Sequence, residues 1–406
     1  MRRRSCVSLA SVVSVLGFFA VAACSPAPIS SGFSRSEKDV KTDSPGTFGN
    51  GADDADKAAA KGECIPTKGN YEIPGDDCDN DDDGTVDNAV TCDAALTSGA
   101  SAEDFAKSLG ICDTAANRGF GLVSARFTRG YNREDAPMAE QHGVLEKFGN
   151  VLKPREGKRL GVLSTGYAQE YNGAPGVAFG GDEGGKSWFN ARSGQPGNGT
   201  APPGFPKAAA GCPGETNVND VSNVHLELKA PKNASGFRFD FNFHSGEWPA
   251  YICSKFNDGF VAYLTASGKA ENISFDPMKN PVSVNNGFFD RCTPNVDTGC
   301  ADGAKPATSQ CPGGTAELKG TGYGAEGKWC ELPGGDGTGP NGPKKVSTAG
   351  GATGWLTSSA PVVAGEEFTL DFMIWDTGDG VLDSSVLLDN FKWAEGEVTV
   401  VTDRPR

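Results

Sequence analysis

Glu366-Glu367-Phe368-Thr369-Leu370-Asp371-Phe372-Met373-Ile374-Trp375 runs into Asp376-Thr377-Gly378-Asp379-Gly380-Val381-Leu382-Asp383, and the chain continues from Ser384 to Trp393. Phe368, Leu370, Phe372 and Ile374 recur at period two, the spacing that places side chains on one face of a β-strand. The segment between the two apolar runs collects three carboxylates and two glycines, so the stretch reads as strand, acidic turn, strand: a terminal hairpin with a candidate cation site at its tip. Upstream, Phe237, Phe239, Phe241 and Phe243 alternate with Arg238, Asp240, Asn242 and His244, and Val224, Leu226 and Leu228 alternate with His225, Glu227 and Lys229. Four phenylalanines on one strand face demand a covering layer, which a second sheet supplies most economically.

Shorter apolar runs bounded by Gly and Pro, at 121–127, 141–149, 154–166, 260–265 and 281–289, provide further strands, and 346–363 leads into the terminal strand pair. Ser101 and Asp104 cap a run in which Phe105 and Leu109 lie four apart and Gly110 stops the helix. The expected fold is therefore mainly β: a two-layer antiparallel β-sandwich, jelly-roll-like, with one short helix. Long Gly-rich, disulfide-braced loops at 172–216 and 292–343 complete it.

The 56 glycines and 25 prolines fit such a turn-rich β protein. A net charge of -15 argues against nucleic acid as a partner, because phosphate binding requires clustered Lys and Arg. An acidic chain favours cations instead.

The first residues decide the compartment. Arg2-Arg3-Arg4 precedes an apolar run from Val7 to Ala23 that is short for a membrane span and ends in Val21-Ala22-Ala23-Cys24. That tetrapeptide resembles the lipobox of bacterial lipoproteins, in which the chain is cut before a cysteine that then carries the lipid; the alternative is an ordinary signal peptide cleaved near Ala23. Ser25 in the following position resembles outer-membrane sorting. The expectation is an exported, lipid-anchored protein of the outer membrane or cell surface, with residues 1–23 as signal peptide and 24–62 as a flexible Ser/Pro/Gly/Asp tether. Ten cysteines remain: Cys64, Cys78, Cys92 and Cys112, then Cys212, Cys253, Cys292, Cys300, Cys311 and Cys330. An even count in an exported chain suggests disulfides, and no CxxC pair suggests zinc.

Between Cys64 and Cys92 the chain reads Asp76-Asp77-Cys78-Asp79-Asn80-Asp81-Asp82-Asp83-Gly84-Thr85-Val86-Asp87. Asp79, Asp81, Asp83, Gly84, Thr85 and Asp87 take positions one, three, five, six, seven and nine of an EF-hand-like loop, whose alternate carboxylates serve a hard cation such as calcium. Position twelve is Val90 instead of Glu, so the loop is incomplete. It resembles the short Asp-rich metal-binding repeats of bacterial surface proteins, of the form CDGxDNDCDGxVDE. Here Asp82 replaces the cysteine before Asp83, and Cys78 lies before Asp79. The competing reading is a solvated acidic linker.

Several separated segments, in order, carry a second resemblance: Gln141-His142-Gly143-Val144-Leu145, Pro154-Arg155-Glu156-Gly157, Leu163-Ser164-Thr165-Gly166-Tyr167-Ala168, Phe239-Asp240-Phe241-Asn242-Phe243, Phe256-Asn257-Asp258-Gly259-Phe260, Ile374-Trp375-Asp376-Thr377-Gly378-Asp379 and Leu382-Asp383-Ser384-Ser385-Val386. Together they resemble the choice-of-anchor L domain over about residues 95–395. The resemblance implies a bacterial surface or lipid-anchored protein and assigns it no particular activity. Where many members carry Ser-Glu-Glu-Tyr, this chain has Ser245-Gly246-Glu247-Trp248 and so lacks one acidic position. The domain plan is then 63–93 as an Asp-rich calcium-binding segment, 95–395 as the sandwich and 396–406 as a tail.

The catalytic inventory is thin. His142, His225 and His244 are the only histidines, and neither GxSxG nor HExxH occurs. A carbohydrate-active hydrolase would need Glu247 with an Asp partner such as Asp376 or Asp379, set about 5–10 Å apart in a cleft. Asp376, Asp379 and Asp383, completed by Asn257 and Asp258, form the second candidate cation site, in competition with an Asx-turn network. Trp248, Trp355, Trp375 and Trp393 raise an aromatic platform for sugars, although tryptophans in sandwiches more often fill the core. The overall expectation is a non-enzymatic surface protein for binding, adhesion or envelope structure, calcium-associated, held to the membrane by its lipid and offering its outer face to a glycan or surface protein.

Overall fold

The computed structural model describes residues 64–88, 91–168, 199–209, 211–248, 251, 254–285, 288–289, 314–323, 350–380 and 382–405. The signal peptide, Cys24, the tether, and Cys253, Cys292, Cys300, Cys311 and Cys330 lie outside these residues. In chain order the described elements are α1 (Ala102–Ser108), α2 (Ala115–Arg118), β1 (Gly121–Thr128), β2 (His142–Leu145), β3 (Leu160–Ser164), β4 (Val218–Lys229), β5 (Gly236–Ser245), β6 (Gly259–Ala266), β7 (Lys269–Asn272), β8 (Val282–Ser283), β9 (Gly351–Ala352), β10 (Leu356–Pro361), β11 (Glu367–Thr377), β12 (Ser384–Ala394) and β13 (Val401–Asp403). They form two antiparallel sheets, one in the order β1-β4-β11-β6-β7 with β8 beside β6, the other β13-β10-β5-β12-β3-β2 with β9 beside β5.

The phenylalanine face of β5 is the seam between the sheets. Phe237, Phe239, Phe241 and Phe243 are all fully buried. Phe237 stacks on Phe368 at 5.5 Å, Phe239 meets Phe372 edge-on at 4.8 Å, and Phe241 lies 5.1 Å from Phe260. These partners belong to β11 and β6, so the two layers expected from the alternation are present.

The terminal hairpin is not. β11 pairs on one side with β4 (Phe372 opposite Val224) and on the other with β6 (Phe372 opposite Ala262). β12 pairs with β5 and with β3. Both strands have both edges occupied, so the acidic segment after Thr377 crosses from one sheet to the other.

The outer faces are covered as well. Met373 and Trp375, on the opposite face of β11 from Phe372, pack with Tyr131, Ala201 and Phe205. On the other sheet Phe148, Leu152 and Tyr323 cover Val162 and Leu387. Loop segments thus serve as outer covers, which explains why a sandwich needs so much irregular chain.

The cap expected at Ser101 forms, its hydroxyl accepting from Asp104 N–H at 3.2 Å, and it starts α1, which buries Phe105. A second helix, α2, is added to the single one expected; it starts at a Thr114 cap and ends at Gly119 with φ 81°. It buries no side chain and therefore left no periodic pattern in the sequence. Val401–Asp403, within the stretch expected as a tail, joins β10 as an edge strand.

The acidic segment is docked on the sandwich. Tyr71 N–H donates to Asn233 Oδ1 at 3.0 Å, Asn233 Nδ2 donates back to Tyr71 O at 3.1 Å, and Lys232 N–H donates to Gly69 O at 3.0 Å. Cys64–Cys78 and Cys92–Cys112 are the disulfides of the first cysteine group, and Cys212 is disulfide-bonded too.

Candidate functional site

The first acidic cluster is the Asp-rich loop. Gly84, at the sixth position, has φ 90°, the left-handed turn that only glycine adopts without strain. Around it the carboxylates collect main-chain amides. Asp79 Oδ2 accepts from Gly84 N–H at 2.9 Å, Asp83 Oδ1 from Thr85 N–H at 2.8 Å, and Asp87 Oδ1 from Gly75 N–H at 2.7 Å. Asp81 is ion-paired to Arg118.

The residue that draws the loop together is Glu72. Its Oε1 accepts from Asp87 N–H at 3.1 Å, while its Oε2 is buried without a hydrogen-bond partner. Two groups of carboxylate oxygens lie within 4.8 Å of one another: Glu72 with Asp79 and Asp81, and Glu72 with Asp76 and Asp87. Burial pushes the Glu72 carboxyl up from its ordinary range, against the pull of the Asp87 and Asn80 amides. Asp83 moves down because Asn88 donates to it. Asp83 and Thr85 are exposed, and Asp83 joins neither group.

The second cluster sits where both sheets end together. Asp258 immediately precedes β6 and Asp376 lies near the end of β11, while Glu247 follows β5 and Asp383 precedes β12. All four are buried, at 0%, 1%, 2% and 3% exposure. Asp258 Oδ2 accepts from Ser384 Oγ at 2.6 Å, its Oδ1 from Thr377 N–H at 3.3 Å, and its own N–H donates to Glu247 Oε2 at 3.2 Å. Neither oxygen of Asp376 has a hydrogen-bond partner, nor has Asn257 Oδ1. A side chain on Gly166 would place its Cβ 2.2 Å from Asp383 Oδ2, so the glycine permits the approach of that carboxylate.

Electrostatics at this end are one-sided. Burial, then repulsion from Asp258, Asp220 and Asp383, raises Asp376 well above the ordinary carboxylate range. Glu247 rises for the same reasons, burial first and Asp258 second. Burial lifts Asp258 to about 7, with Ser384, then the neighbouring Asp376, then Thr377 opposing. Among the described residues no Lys or Arg forms an ion pair with Glu247, Asp258 or Asp376.

The family model of the choice-of-anchor L domain matches residues 162–392, more than half of the chain. The chain belongs to the choice-of-anchor L family. No curated protein and no solved structure matches it. A choice-of-anchor L domain marks a cell-surface protein, and here it spans from β3 to β12. All four buried carboxylates at the sheet ends, Glu247, Asp258, Asp376 and Asp383, fall within this matched span, whereas the Asp-rich loop precedes it.

The sequence readings divide accordingly. Of the loop set, Asp79 and Asp81 share one group and Asp87 belongs to the other. Glu72 and Asp76 were not legible from EF-hand spacing, because they precede position one and are brought back by the Cys64–Cys78 disulfide and by Asn80 Oδ1, which accepts from Ile73 N–H at 2.8 Å. Of the second set, Asp258, Asp376 and Asp383 are buried at the sheet ends of the choice-of-anchor L domain; Asn257 is adjoining, and Asp379 is half-buried with its carbonyl held by Asn219 Nδ2 at 2.8 Å. Glu247 belongs with them.

Glu247 and Asp258 are linked through a main-chain hydrogen bond, and both are buried, at 2% and 0% exposure. The histidines are spread over separate roles. His142 stacks on Phe127 at 3.6 Å, and burial lowers it to about 4. His225 Nδ1 lies 2.8 Å from Asp371, and His244 is walled by Phe148 and Tyr323. Trp248 and Trp375 are core; Trp355 and Trp393 are half-buried.

Proposed function

We propose that this is a lipid-anchored surface protein, tethered through Cys24, whose calcium-associated sandwich serves binding, adhesion or envelope structure instead of catalysis. The observation that carries the reading is the choice-of-anchor L match over 162–392 on a chain whose residues 21–24 have lipobox character. The burial of Glu247 beside Asp258 supports the non-catalytic part, since a glycosidase pair must face its sugar. A surface cavity of about 440 Å³ lined by Val151, Lys153, Arg155, Glu317 and Trp355 offers an aromatic, the Lys153 cation and an Arg155 already paired with Asp240 to a glycan or surface-protein partner. The test is fractionation of cells expressing the full chain, with protease treatment of intact cells. The wild-type chain partitions with membranes and is cleaved from outside, and Cys24→Ala is released; an identical distribution of the two overturns the anchor.

Calcium is assigned here to the Asp-rich loop. Its donors are all oxygen, as a hard cation requires, and Glu72, whose Oε2 is unpartnered, is the residue shared by both carboxylate groups. Calcium at a hundredfold excess over its dissociation constant adds about 2.7 kcal/mol to unfolding. Melting in calcium against chelator therefore shows a rise in Tm for the wild-type protein, reduced in Glu72→Gln, which keeps the size of the side chain and removes its charge. Equal rises in the two proteins would remove Glu72 from the site.

A further inference from the structure

We propose that the buried end of the sandwich holds a second, intersheet divalent cation of the calcium class, bound between Asp376 and Asp258 and completed by Asn257 Oδ1, with Glu247 behind it. Three observations lead there. Asp376 is 1% exposed, yet both its oxygens lack a hydrogen-bond partner, and Asn257 Oδ1, on a residue 7% exposed, is unpartnered in the same way. An uncompensated buried carboxylate is costly, and proteins resolve it by pairing, protonation or metal coordination. No described Lys or Arg supplies the pairing for Asp376, Asp258 or Glu247, while like charges crowd in from Asp220 in β4, Asp383 before β12 and Asp258 before β6.

The donors select the ion. Every side-chain group offered is an oxygen, which suits calcium and not zinc or copper. Among the described residues, no three carboxylates at this end bring oxygens within 4.8 Å of one another, in contrast to the Glu72 groups. Asp376 and Asp258 are the two carboxylates of the proposed site, with the Asn257 amide oxygen and main-chain or water oxygens filling the rest of the shell.

Position gives the site its role. Asp376 and Asp258 come from the β11/β6 sheet. The Ser384 hydroxyl that donates to Asp258, and Glu247, come from the β5/β12 sheet. The crossover from β11 to β12 passes over this point, so the ion fastens the two layers where the chain changes sheets.

The experiment uses the full chain carrying Glu72→Gln, so that the Asp-rich loop is weakened, and reads calcium retained in equilibrium dialysis together with Tm in calcium and in chelator. The expected result is one calcium retained per chain and a Tm rise with calcium. Adding Asp376→Asn removes both, while in chelator the Asp376→Asn chain melts no lower than its parent, because it has lost a buried like charge. Absence of calcium retention in the Glu72→Gln chain overturns the proposal, as does unchanged retention after Asp376→Asn. Asp258→Asn makes the same comparison if Asp376→Asn fails to fold. Failure of the loop site shows separately, as identical calcium stoichiometry in the wild-type and Glu72→Gln chains.

Discussion

Phe239→Ala lowers the unfolding free energy by about 3–5 kcal/mol, the range for removing a fully buried phenylalanine. Phe239 is 0% exposed and sits in a row of rings, 6.4 Å from Phe237 and 6.0 Å from Phe241 on its own strand. Across the layer it meets Phe372 at 4.8 Å. Its position in the middle of that row matters, because strands on both sides hold β5 in place: Phe239 is opposite Ser358 in β10, and Phe241 opposite Leu388 in β12. The backbone cannot close around the vacated volume, so the loss includes the cavity as well as the transfer term. Denaturant unfolding followed by tryptophan fluorescence measures it, with m unchanged. Phe239→Leu, which keeps most of the volume, loses less. A loss below about 1 kcal/mol for the alanine variant would mean that the β5 face is not the seam of the sandwich.

This seam was legible because period-two aromatics leave only one solution: a strand with four large rings on one face must find a second apolar layer. The helix cap at Ser101 was legible for an equally local reason, a side chain that satisfies an amide three residues on. What was not legible is long-range. A Gly/Asp turn between two apolar strands looks the same whether the strands pair with each other or enter different sheets, and β11 and β12 do the latter. The covered outer faces had a signal in Met373 and Trp375, apolar residues at the alternate positions of β11, which a half-exposed strand would fill with polar groups. The run Val398-Thr399-Val400-Val401-Thr402 is likewise β-branched enough to mark β13 within the expected tail.

The candidate sites divide the same way. Acidic residues on the β11–β12 crossover were visible as charges without a strand's use for them. Their company was not: Glu247, just after β5, and Asp258, just before β6, meet through a hydrogen bond across the connection between those strands, and Glu72 reaches Asp79 through the chain reversal closed by Cys64–Cys78. Spacing rules read ligands forward from a first carboxylate, so a ligand supplied from upstream escapes them.

The two described disulfides differ in what they hold, and their removal separates the two roles. Cys92–Cys112 joins residues 20 apart and encloses α1, whose Phe105 and the following Leu109 are fully buried in the main core. A crosslink of that loop length restricts the unfolded chain by about 3 kcal/mol. Because the enclosed segment is part of the core, with Leu109 O accepting from Phe391 N–H at 2.7 Å, the loss is felt by the whole sandwich. Cys92→Ala with Cys112→Ala therefore lowers global stability by about 3 kcal/mol. Cys64–Cys78 joins residues 14 apart in a segment attached at the surface through Tyr71, Gly69 and Asp81. Cys64→Ala with Cys78→Ala opens that segment locally, so amide exchange accelerates between residues 64 and 88 while β5 and β11 keep their protection. The same double variant loses the calcium response proposed for the loop, since Glu72 is no longer held near Asp79 and Asp87. Equal protection losses in β5 and in the acidic segment would show instead that the loop is an integral part of the sandwich, folding and unfolding with it.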